Sequence, residues 1–310
     1  MSRLPKYIEA DDVKRVLKMT ELIPIIEKAM GDFSKGDDGG VVQPVRSFIP
    51  IEKHGGFFAA MSAYSEKDET LATKLLTRYQ ENAGTGIPTH TSAIILFEPS
   101  TGELKSIMDG DVITSMRTAA ASAVATKYLA SENSKILCIL GSGDQARSHY
   151  KSLHHICNFE EVRVWSPTFK NAQYFSSQLR SKVCATVEEA IRGADVIVTA
   201  TFAKQPIVEW EWVKPGAHIN AIGAVNKKWQ ELSSELMQKS VVYVDSREAA
   251  MKGSGDVIIS KADIFAEIGD LVNGTKEAQR EKTTVFKSLG IAIEDVVSAK
   301  LVYDKHMENH

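Results

Sequence analysis

One segment constrains the fold of this chain more than any other: an apolar run that leads directly into a glycine-rich turn. Residues 136–140 read Ile-Leu-Cys-Ile-Leu, and the turn Gly-Ser-Gly-Asp-Gln-Ala follows at residues 141–146, ahead of a helical stretch. A continuous apolar run is typical of a strand that is covered on both faces. In a GxGxxA turn, Gly141 permits the turn, Gly143 lets backbone amides approach a pyrophosphate, and Ala146 lets the helix pack closely. The segment therefore predicts a dinucleotide site, and a glycine turn without a ligand is the alternative.

The chain after residue 134 alternates between strand-like and helix-like segments. Further buried strands are predicted at residues 161–165, 195–200, 217–222 and 241–245. Stretches of helical length separate them, and one of these begins with a capping-box pattern at Thr186–Glu189. This alternation predicts an α/β fold with a Rossmann-type, doubly wound parallel sheet.

The residues before this region have a different organisation. Helical spacing is present at residues 11–35, strand-like stretches follow at 57–63, 71–77 and 91–97, and an alanine-rich helix is predicted at 111–130. A last helix is predicted at residues 291–304 and is expected to return to this first domain. The sequence thus predicts an α+β domain in addition to the Rossmann domain.

Composition argues against several classes of function. The 310 residues carry a net charge of −3, which offers no broad basic surface, so nucleic acid is a poor candidate partner. No apolar run approaches the roughly 20 residues that cross a bilayer, and the N-terminal segment resembles neither a secretory signal nor a transit peptide. Cys138, Cys157 and Cys184 form no CxxC pair, so neither a disulfide framework nor a zinc site is expected. A cytosolic protein without a metal or a membrane partner is the expectation.

The strand at residues 161–165 bears on the choice of nicotinamide cofactor. NAD selection usually requires a carboxylate at the far end of this strand, where it accepts a hydrogen bond from the ribose 2′-hydroxyl. Glu160 and Glu161 start the strand instead, so they would lie at the opposite edge of the sheet. The far end contains no carboxylate and has four donors nearby, namely Ser166, Thr168, Lys170 and Arg147. NADPH is therefore the expected cofactor, with NADH as the alternative.

Three cations stand in mostly uncharged segments of the first domain: Arg46, Lys74 and Arg117. Each of them, taken singly, is expected to be an ordinary solvated residue. If the three converge, they form a clamp for a carboxylate, because arginine offers paired N–H donors and lysine a point charge. Spacing in the sequence does not decide between these two interpretations.

Different short motifs are distributed along almost the whole chain. They lie at residues 40–46, 73–74, 97–100, 108–113, 117–120, 137–143, 145–146, 193–197, 212–220, 243–246, 254–257, 264–267 and 281–290. Together they resemble the ornithine cyclodeaminase/mu-crystallin family, and closely its mu-crystallin (ketimine reductase) branch. The resemblance implies a homodimer. It also implies a substrate-binding and dimerisation domain at residues 1–112 and 286–310, with an NAD(P)-binding Rossmann domain inserted at residues 113–285.

The same resemblance implies roles for individual residues. It places Arg46, Lys74 and Arg117 on the substrate carboxylate. The segments Thr199–Thr201 and Ala221–Val225 are expected to line the nicotinamide pocket. The full set of implied cofactor contacts is Gly141, Gly143, Gln145, Ala146, Ser166, Thr168, Thr199, Thr201, Ala221 and Val225. Pro167 stands where NADPH-using relatives often have an arginine, which weakens the expectation of strict NADP selectivity.

Two departures from the family pattern favour one activity within it. Ornithine cyclodeaminases have an aspartate where this chain has Val225 and a glutamate where it has Ala59. Without these carboxylates a deaminating cyclisation is not expected. Reduction of a preformed C=N bond requires less, since a protonated ketimine is already electrophilic. The expected function is NAD(P)H-dependent reduction of a small cyclic imino acid such as piperideine-2-carboxylate.

The sequence leaves two alternative functions open. The first is NADPH-dependent binding of a thyroid hormone (an iodothyronine), which the resemblance suggests and which Arg78 weakens, because related sequences tend to have an aromatic residue there. The second is an amino-acid dehydrogenase of the same family, which Val225 disfavours.

Overall fold

The computed structural model describes residues 4–82 and 84–308, and this part of the chain forms two compact units. Unit 1 comprises Met1–Arg117 and Ile291–His310, and unit 2 comprises Thr118–Gly290. Residues 1–3 and 309–310, which the predicted substrate-binding domain includes, lie outside the described residues, as does residue 83.

Strands and helices are numbered along the chain. The strands are β1 (Lys6–Ile8), β2 (Val41–Val42), β3 (Ser47–Ile51), β4 (Gly56–Ser65), β5 (Thr70–Tyr79), β6 (His90–Phe97), β7 (Leu104–Asp109), β8 (Ile136–Leu140), β9 (Glu161–Trp165), β10 (Lys182–Val183), β11 (Val196–Thr199), β12 (His218–Ala221), β13 (Val241–Val244), β14 (Ile264–Glu267) and β15 (Thr284–Lys287). The helices are α1 (Ala10–Val16), α2 (Met19–Ser34), α3 (Gly110–Leu129), α4 (Asp144–Leu153), α5 (Phe169–Gln178), α6 (Val187–Ile191), α7 (Ser234–Lys239), α8 (Arg247–Gly253), α9 (Gly255–Ser260), α10 (Ile268–Val272) and α11 (Ala292–Glu308).

Unit 1 is a mainly antiparallel sheet with helices packed on it. The strand order is β1-β7-β6-β5-β4-β2, and β3 also pairs with β4. Only β1, which pairs with β7, runs parallel to its neighbour within the described sheet. Side chains on β5 alternate between buried and half-buried, as expected of a sheet with one face on the core. Helix α11 packs against that sheet at β4 and β5 and also against α2.

The strands predicted at residues 57–63, 71–77 and 91–97 are confirmed as the inner parts of β4, β5 and β6. The helical pattern at residues 11–35 is two helices rather than one. Leu17 and Lys18 are extended between α1 and α2, and Leu17 is buried. The apolar periodicity therefore continues through a break in the helix, because the linking residue also contributes to the core.

Unit 2 contains the predicted parallel sheet, with the order β10-β9-β8-β11-β12-β15-β13-β14. Its strand pairs are parallel throughout the described residues, which confirms the α/β fold class. The five predicted strands appear as β8, β9, β11, β12 and β13. Strand β15, which no pattern indicated, lies between β12 and β13. It has only four residues and ends in Lys287, so it lacks the longer apolar run that indicates a central strand.

The connections in unit 2 create a point where the winding of the sheet reverses. From β8 the chain proceeds to β9 and β10 on one side, and it then returns to β11 on the other side of β8. In doubly wound sheets, ligands bind beyond the carboxyl ends of the strands at this switch point. The predicted glycine turn follows β8 and therefore lies at that position. Among the described helices, none combines the length and apolar character required to cross a membrane.

Candidate functional site

Lys74 lies in the middle of the unit 1 sheet. On β5 it stands in register with Met61 of β4 and Ile94 of β6, and it is only 1% exposed. Its ammonium group lies 2.7 Å from the carboxylate of Asp295 on α11 and donates to the hydroxyl of Thr114 on α3 at 3.3 Å. Lys74 is therefore buried between apolar neighbours with a carboxylate as its counter-ion.

Arg117 meets the same carboxylate from helix α3. Its Nε donates to Asp295 Oδ1 at 3.0 Å, and its Nη1 donates to Glu294 Oε2 at 2.8 Å. Arg117 is buried, and both acids are fully buried in the first turn of α11. The structure thus brings two of the three predicted clamp cations together around one aspartate.

Arg46 lies in the loop between β2 and β3, and this loop is attached to the start of α11. Gln43 Oε1 in the loop accepts a hydrogen bond from the backbone N–H of Ile293 at 2.7 Å. The charge of Arg46 is close enough to Lys74 to contribute to the lowering of its pKa. The third predicted cation therefore lies near the other two, at the N-terminal end of α11.

The electrostatics of this cluster favour an anionic ligand. Burial lowers the pKa of Lys74 to about 8, which Asp295 opposes and which Arg117 and Arg46 reinforce. Burial alone would raise the pKa of Asp295, but Arg117 and Lys74 outweigh it and hold that pKa below its usual value. An ammonium group has three N–H donors and a guanidinium five, whereas contacts within the described residues use two on each side chain. Lys74 and Arg117 therefore keep donors for a carboxylate.

The start of α3 is fixed by polar contacts to β6. His90 Nδ1 lies 2.8 Å from Asp111 Oδ1, and Ser92 Oγ donates to the same oxygen at 2.8 Å. A Cβ on Gly110 would come within 2.6 Å of Ser92 Oγ, so the close approach requires glycine. These contacts set the position of the helix that carries Arg117.

The glycine turn of unit 2 lies at the carboxyl end of β8. Gly141 has a φ of 124°, and its backbone N–H donates to the carbonyl of Trp165 at the end of β9 at 2.8 Å. A Cβ on Gly141 would come within 2.4 Å of the carbonyl oxygen of Ala200, which follows β11. Conformation and close approach both require glycine here. The turn is therefore held between the ends of the two strands that flank β8.

The rest of the turn fits a dinucleotide. Gly143 is the N-cap of α4, its helix has no side-chain cap, and a Cβ built on it would meet no described atom within 4 Å. A helix start of this kind offers backbone N–H donors to a phosphate. Gln145 Oε1 is buried and accepts no hydrogen bond from the described residues, so a polar ligand group would satisfy it. Ala146 is fully buried, as the close packing of helix on sheet requires.

The carboxyl end of β9 presents hydroxyl groups. Ser142 Oγ donates to Ser166 Oγ at 3.0 Å. Thr168, the exposed N-cap residue of α5, makes no capping hydrogen bond through its side chain. Arg147 on α4 donates to Gln178 on α5 at 2.6 Å. Of the donors predicted near the adenosine ribose, Ser166 and Thr168 thus lie at this edge, while Arg147 is held by α5.

Thr199 and Thr201 direct their hydroxyl groups toward a buried acid. Thr199 Oγ1 donates to Glu231 Oε2 at 2.7 Å, and Thr201 donates to Glu231 Oε1 through its backbone N–H at 2.7 Å and its hydroxyl at 2.5 Å. The backbone N–H of Gly223, which follows β12, donates to Oε2 at 2.8 Å. Glu231 therefore connects the carboxyl ends of β11 and β12.

Ala221 and Val225 lie at the same edge of the sheet. Ala221 ends β12 and is fully buried. Val225 is half-buried, and its backbone N–H donates to the carbonyl of Gly223 at 2.9 Å. The structure thus brings the residues predicted to line the nicotinamide pocket to one edge, with apolar side chains at two of the four positions.

A second buried ion pair holds the segment that carries Glu231. Asp256 Oδ1 accepts from the backbone N–H groups of Glu231 and Leu232 at 2.8 and 3.1 Å. Its Oδ2 lies 3.0 Å from Lys287 Nζ at the end of β15, and both side chains are fully buried. Burial raises the pKa of Glu231, which Lys287 opposes and Asp256 reinforces.

Sequence reasoning missed the carboxylates that organise both clusters. These are Glu294 and Asp295 in unit 1, and Glu231 and Asp256 in unit 2. An acidic pair in the mostly apolar first half of α11 was the available signal for the first two, but only the fold shows which cations they meet. In residues 4–82 and 84–308 no group of His, Cys, Asp and Glu side chains has the arrangement of a metal site.

Comparison with known proteins places these clusters in context. The sequence model of the ornithine cyclodeaminase/mu-crystallin family matches residues 6–310. Ketimine reductase mu-crystallin from Rattus norvegicus is 54% identical over 307 residues, which cover 98% of each chain. Thermococcus litoralis Δ1-pyrroline-2-carboxylate reductase, solved in complex with NADH and L-proline, is 37% identical, with a TM-score of 0.94 over 98% of each chain. An archaeal alanine dehydrogenase dimer with bound NAD is 32% identical, with a TM-score of 0.91 over 98% of this chain and 97% of that one.

Proposed function

Because the chain belongs to the ornithine cyclodeaminase/mu-crystallin family, we propose that it is an NAD(P)H-dependent reductase of cyclic ketimine (imino) acids such as piperideine-2-carboxylate. One observation carries the proposal: Lys74 and Arg117 are buried around Asp295 and keep N–H donors for a carboxylate. The similar proteins include a ketimine reductase and a Δ1-pyrroline-2-carboxylate reductase. The reaction is hydride transfer to the carbon of a C=N bond.

Unit 1 binds the carboxylate of the substrate. Arg117 presents a planar set of N–H donors, which suits the two oxygens of a carboxylate, and Lys74 adds a point charge. Arg46 contributes a further positive charge nearby. Asp295 and Glu294 fix the two buried cations in place, so little rearrangement is needed when the anion arrives.

Unit 2 binds the dinucleotide, which supplies the hydride when it is bound. Gly141, Gly143 and Ala146 let the pyrophosphate approach the start of α4, and Gln145 offers a buried polar group beside it. Ser166 and Thr168 are the hydroxyl groups on the adenosine side. On the nicotinamide side are the strand ends that carry Thr199, Thr201, Ala221 and Val225.

The residues of the chain are not required to activate water or an amine. Ala59 stands in register with Phe48 and Leu76, so this position carries a buried methyl group. Val225 is likewise apolar. A protonated C=N bond accepts hydride readily, and the chief task of the protein is to orient it by its carboxylate. A deaminating cyclisation is not proposed, because neither position offers a carboxylate.

NADPH is the preferred cofactor in this proposal, with NADH as a second donor. Glu161, the nearest acid on β9, pairs with Arg163 at the amino end of that strand, away from the glycine turn. The carboxyl end presents Ser166 and Thr168, which accommodate a 2′-phosphate without a repelling charge. The T. litoralis relative was solved with NADH, which supports retaining NADH as the second donor.

An amino-acid dehydrogenase is the second candidate, favoured by the 32% identity with the archaeal alanine dehydrogenase. It differs from the proposed reductase in requiring oxidation of a free amino acid. Reduction of NAD⁺ or NADP⁺ by L-alanine at a rate comparable to imine reduction would favour it.

Binding of an iodothyronine, the remaining interpretation from the sequence, receives less support. Arg78 lies on β5 two positions beyond Leu76 and four beyond Lys74, so the three side chains share one face of the strand. Burial lowers the pKa of Arg78. A partly buried guanidinium on that face disfavours a large apolar ligand. Isothermal titration with an iodothyronine, with and without NADPH, measures this directly.

A cytosolic homodimer is also proposed. Val42, Phe48 and Ile49, on the short strands β2 and β3 of unit 1, are 65, 55 and 59% exposed. Large apolar side chains that stay exposed on a sheet are candidates for a protein–protein interface, and the related alanine dehydrogenase is a dimer. Light scattering coupled to size-exclusion chromatography measures the mass in solution.

The test of the reductase is a kinetic one. The fall in NADPH absorbance is followed with a panel of cyclic ketimine acids of different ring size, and the panel is repeated with NADH. Saturable turnover of at least one of these imines is the expected result. Absence of turnover with the whole panel, from folded protein that binds NADPH, would refute the assignment.

A further inference from the structure

The carboxyl edge of the unit 2 sheet is built around one buried acid. Glu231 is fully buried, and four donors converge on its two oxygens: the Thr199 hydroxyl, the Thr201 hydroxyl and N–H, and the Gly223 N–H. These donors belong to the segments that end β11 and begin the turn after β12. The acid itself lies in neither strand, so it links three separate segments of the chain.

The packing around this acid is tight at Gly223. A Cβ on Gly223 would come within 2.3 Å of both Glu231 Oε1 and the Thr201 carbonyl oxygen. The residue before Thr201 contacts the phosphate-binding turn, because the carbonyl group of Ala200 lies against Gly141. The contacts therefore run without a gap from the phosphate-binding turn through the end of β11 to the end of β12.

The backbone of Glu231 is also held by hydrogen bonds. Its N–H donates to Asp256 Oδ1 at 2.8 Å, and its carbonyl accepts from the N–H groups of Ile207 and Val208 at 2.9 and 3.1 Å. Hydrogen bonds at both the backbone and the carboxylate keep Glu231 in one position, and this restricts the positions of the groups that donate to it. Glu231 therefore restricts the movement of the carboxyl ends of β11 and β12.

We propose that Glu231 is a positioning residue, which sets the carboxyl ends of β11 and β12 so that they form a rigid wall for the nicotinamide half of the cofactor. The inference rests on the proposed function, in which this edge lies beside the nicotinamide. Hydride transfer depends on a defined orientation of the ring. Glu231 does not touch the reacting atoms; it acts through Thr199, Thr201 and Gly223.

The substitution Glu231→Gln tests this with minimal change in shape. A carboxylate offers acceptors on both oxygens, whereas an amide offers one acceptor oxygen and an NH₂ group that only donates. In the variant, either the Thr201 N–H or the Gly223 N–H must face another donor. One of the two strand ends is then released from its position.

The experiment compares the affinity for the whole cofactor with the affinity for its adenosine half. Affinities for NADPH and for 2′-phospho-ADP-ribose, which lacks nicotinamide, are measured by isothermal titration, together with kcat and KM for imine reduction. We expect Glu231→Gln to weaken NADPH binding and to lower kcat, each by roughly 10- to 100-fold, because a charge-assisted hydrogen bond is lost. Affinity for 2′-phospho-ADP-ribose should stay within about twofold, because the phosphate turn is intact.

Asp195 provides a matched control at the other end of the same strand. It immediately precedes β11 and accepts from the backbone N–H groups of Lys135 and Ile136, both at 2.8 Å. Asp195→Asn thus removes a carboxylate that also anchors backbone N–H groups, but at the amino edge. It should lower thermal stability without changing the ratio of the two affinities.

The outcomes separate the inference from the proposed function. An unchanged affinity ratio in Glu231→Gln, or an equal change in Asp195→Asn, would overturn the role of Glu231. If Glu231→Gln does not fold, Thr199→Val removes one donor and should shift the ratio in the same direction by a smaller factor; no shift there would also overturn it. A wild-type protein that binds NADPH but reduces no imine would contradict the proposed function, while the affinity ratio would still decide on Glu231.

Discussion

Each unit of this protein buries a lysine against an aspartate, and the two pairs have different surroundings. In unit 1, Lys74 lies 2.7 Å from Asp295, and in unit 2, Lys287 lies 3.0 Å from Asp256. All four side chains are at most 1% exposed. Similar burial and similar distances therefore do not distinguish the two pairs.

What distinguishes them is the neighbouring charge. Asp295 is shared by two cations, Lys74 and Arg117, and these keep N–H donors. Asp256 instead accepts from the backbone beside a second acid, Glu231. A buried cluster with more cations than acids is suited to an anionic ligand, whereas one with more acids than cations is suited to accepting hydrogen bonds from backbone N–H groups. We infer that unit 1 uses its pair for binding and unit 2 for positioning.

The largest expected effect concerns the stability of the unit 2 pair. Lys287→Met leaves Asp256 buried without its cation, so we expect the free energy of unfolding to fall by about 3–5 kcal/mol. Urea unfolding followed by circular dichroism measures this. The control is Lys252→Met, which removes an exposed partner of Glu248 and should cost less than about 1 kcal/mol. A loss of similar size in both variants would contradict the proposed structural role.

The next effect concerns catalysis by the unit 1 cluster. Arg117→Lys keeps the charge but loses the planar donor set, so kcat/KM for the imino acid should fall by roughly 30- to 150-fold, or about 2–3 kcal/mol. Affinity for NADPH should be unchanged. Arg163→Lys, in the middle of β9 where the arginine pairs with Glu161, is the matched control with near-wild-type kinetics. Equal losses in the two variants would mean that Arg117 has no special role.

A smaller effect is expected from pH. Lys74 is charged below its pKa of about 8 and neutral above it, so affinity for an anion should be present at lower pH and lost as the pH rises through that value. The probe is pyrrole-2-carboxylate, whose carboxylate keeps its charge over this range, titrated calorimetrically in the presence of NADP⁺. The dissociation constant should rise by up to about tenfold per pH unit above the pKa. The inflection should be missing in Lys74→Met, and a flat profile for the wild-type protein would count against the cation cluster.

The smallest effect concerns the adenosine side. Thr168 makes no capping hydrogen bond through its side chain, so Thr168→Ala should change the free energy of unfolding by less than about 0.5 kcal/mol. The ratio of kcat/KM for NADPH over NADH should fall by roughly two- to tenfold, the value of one hydrogen bond. Thermal unfolding and steady-state kinetics measure the two quantities. A ratio that does not change would remove Thr168 from the cofactor site.

Much of the fold could be predicted from the sequence because local patterns determine it. The apolar run at residues 136–140 and the glycine turn after it are contiguous, and both appear where they were expected. Strand β15 could not be predicted, because it is only four residues long and ends in a lysine, which a buried central strand rarely contains. Lys287 is stable there only because Asp256, distant in sequence, lies beside it.

Of the charged groups in the unit 1 cluster, the sequence indicated only the cations. Arg46, Lys74 and Arg117 were conspicuous as charges in uncharged segments, and the family resemblance gave them a role. Their counter-ions lie much later in the sequence, in α11: Asp295 is 221 positions from Lys74, and Asp295 and Glu294 are 178 and 177 positions from Arg117. Thr199 and Thr201 were expected to line a pocket, but the fold shows that their hydroxyls bind Glu231. No local pattern reports such contacts, since they depend on the tertiary arrangement.

Removing the carboxylate from the substrate and the cation from the protein, separately and together, measures whether the two groups interact. The four values are kcat/KM for piperideine-2-carboxylate and for Δ1-piperideine, which lacks the carboxylate, with wild-type protein and with Lys74→Met. If the unit 1 cations hold the carboxylate, the preference for the acid should fall at least about tenfold in the variant, while turnover of Δ1-piperideine stays within about threefold. The same preference in both proteins would show that Lys74 and the carboxylate do not meet.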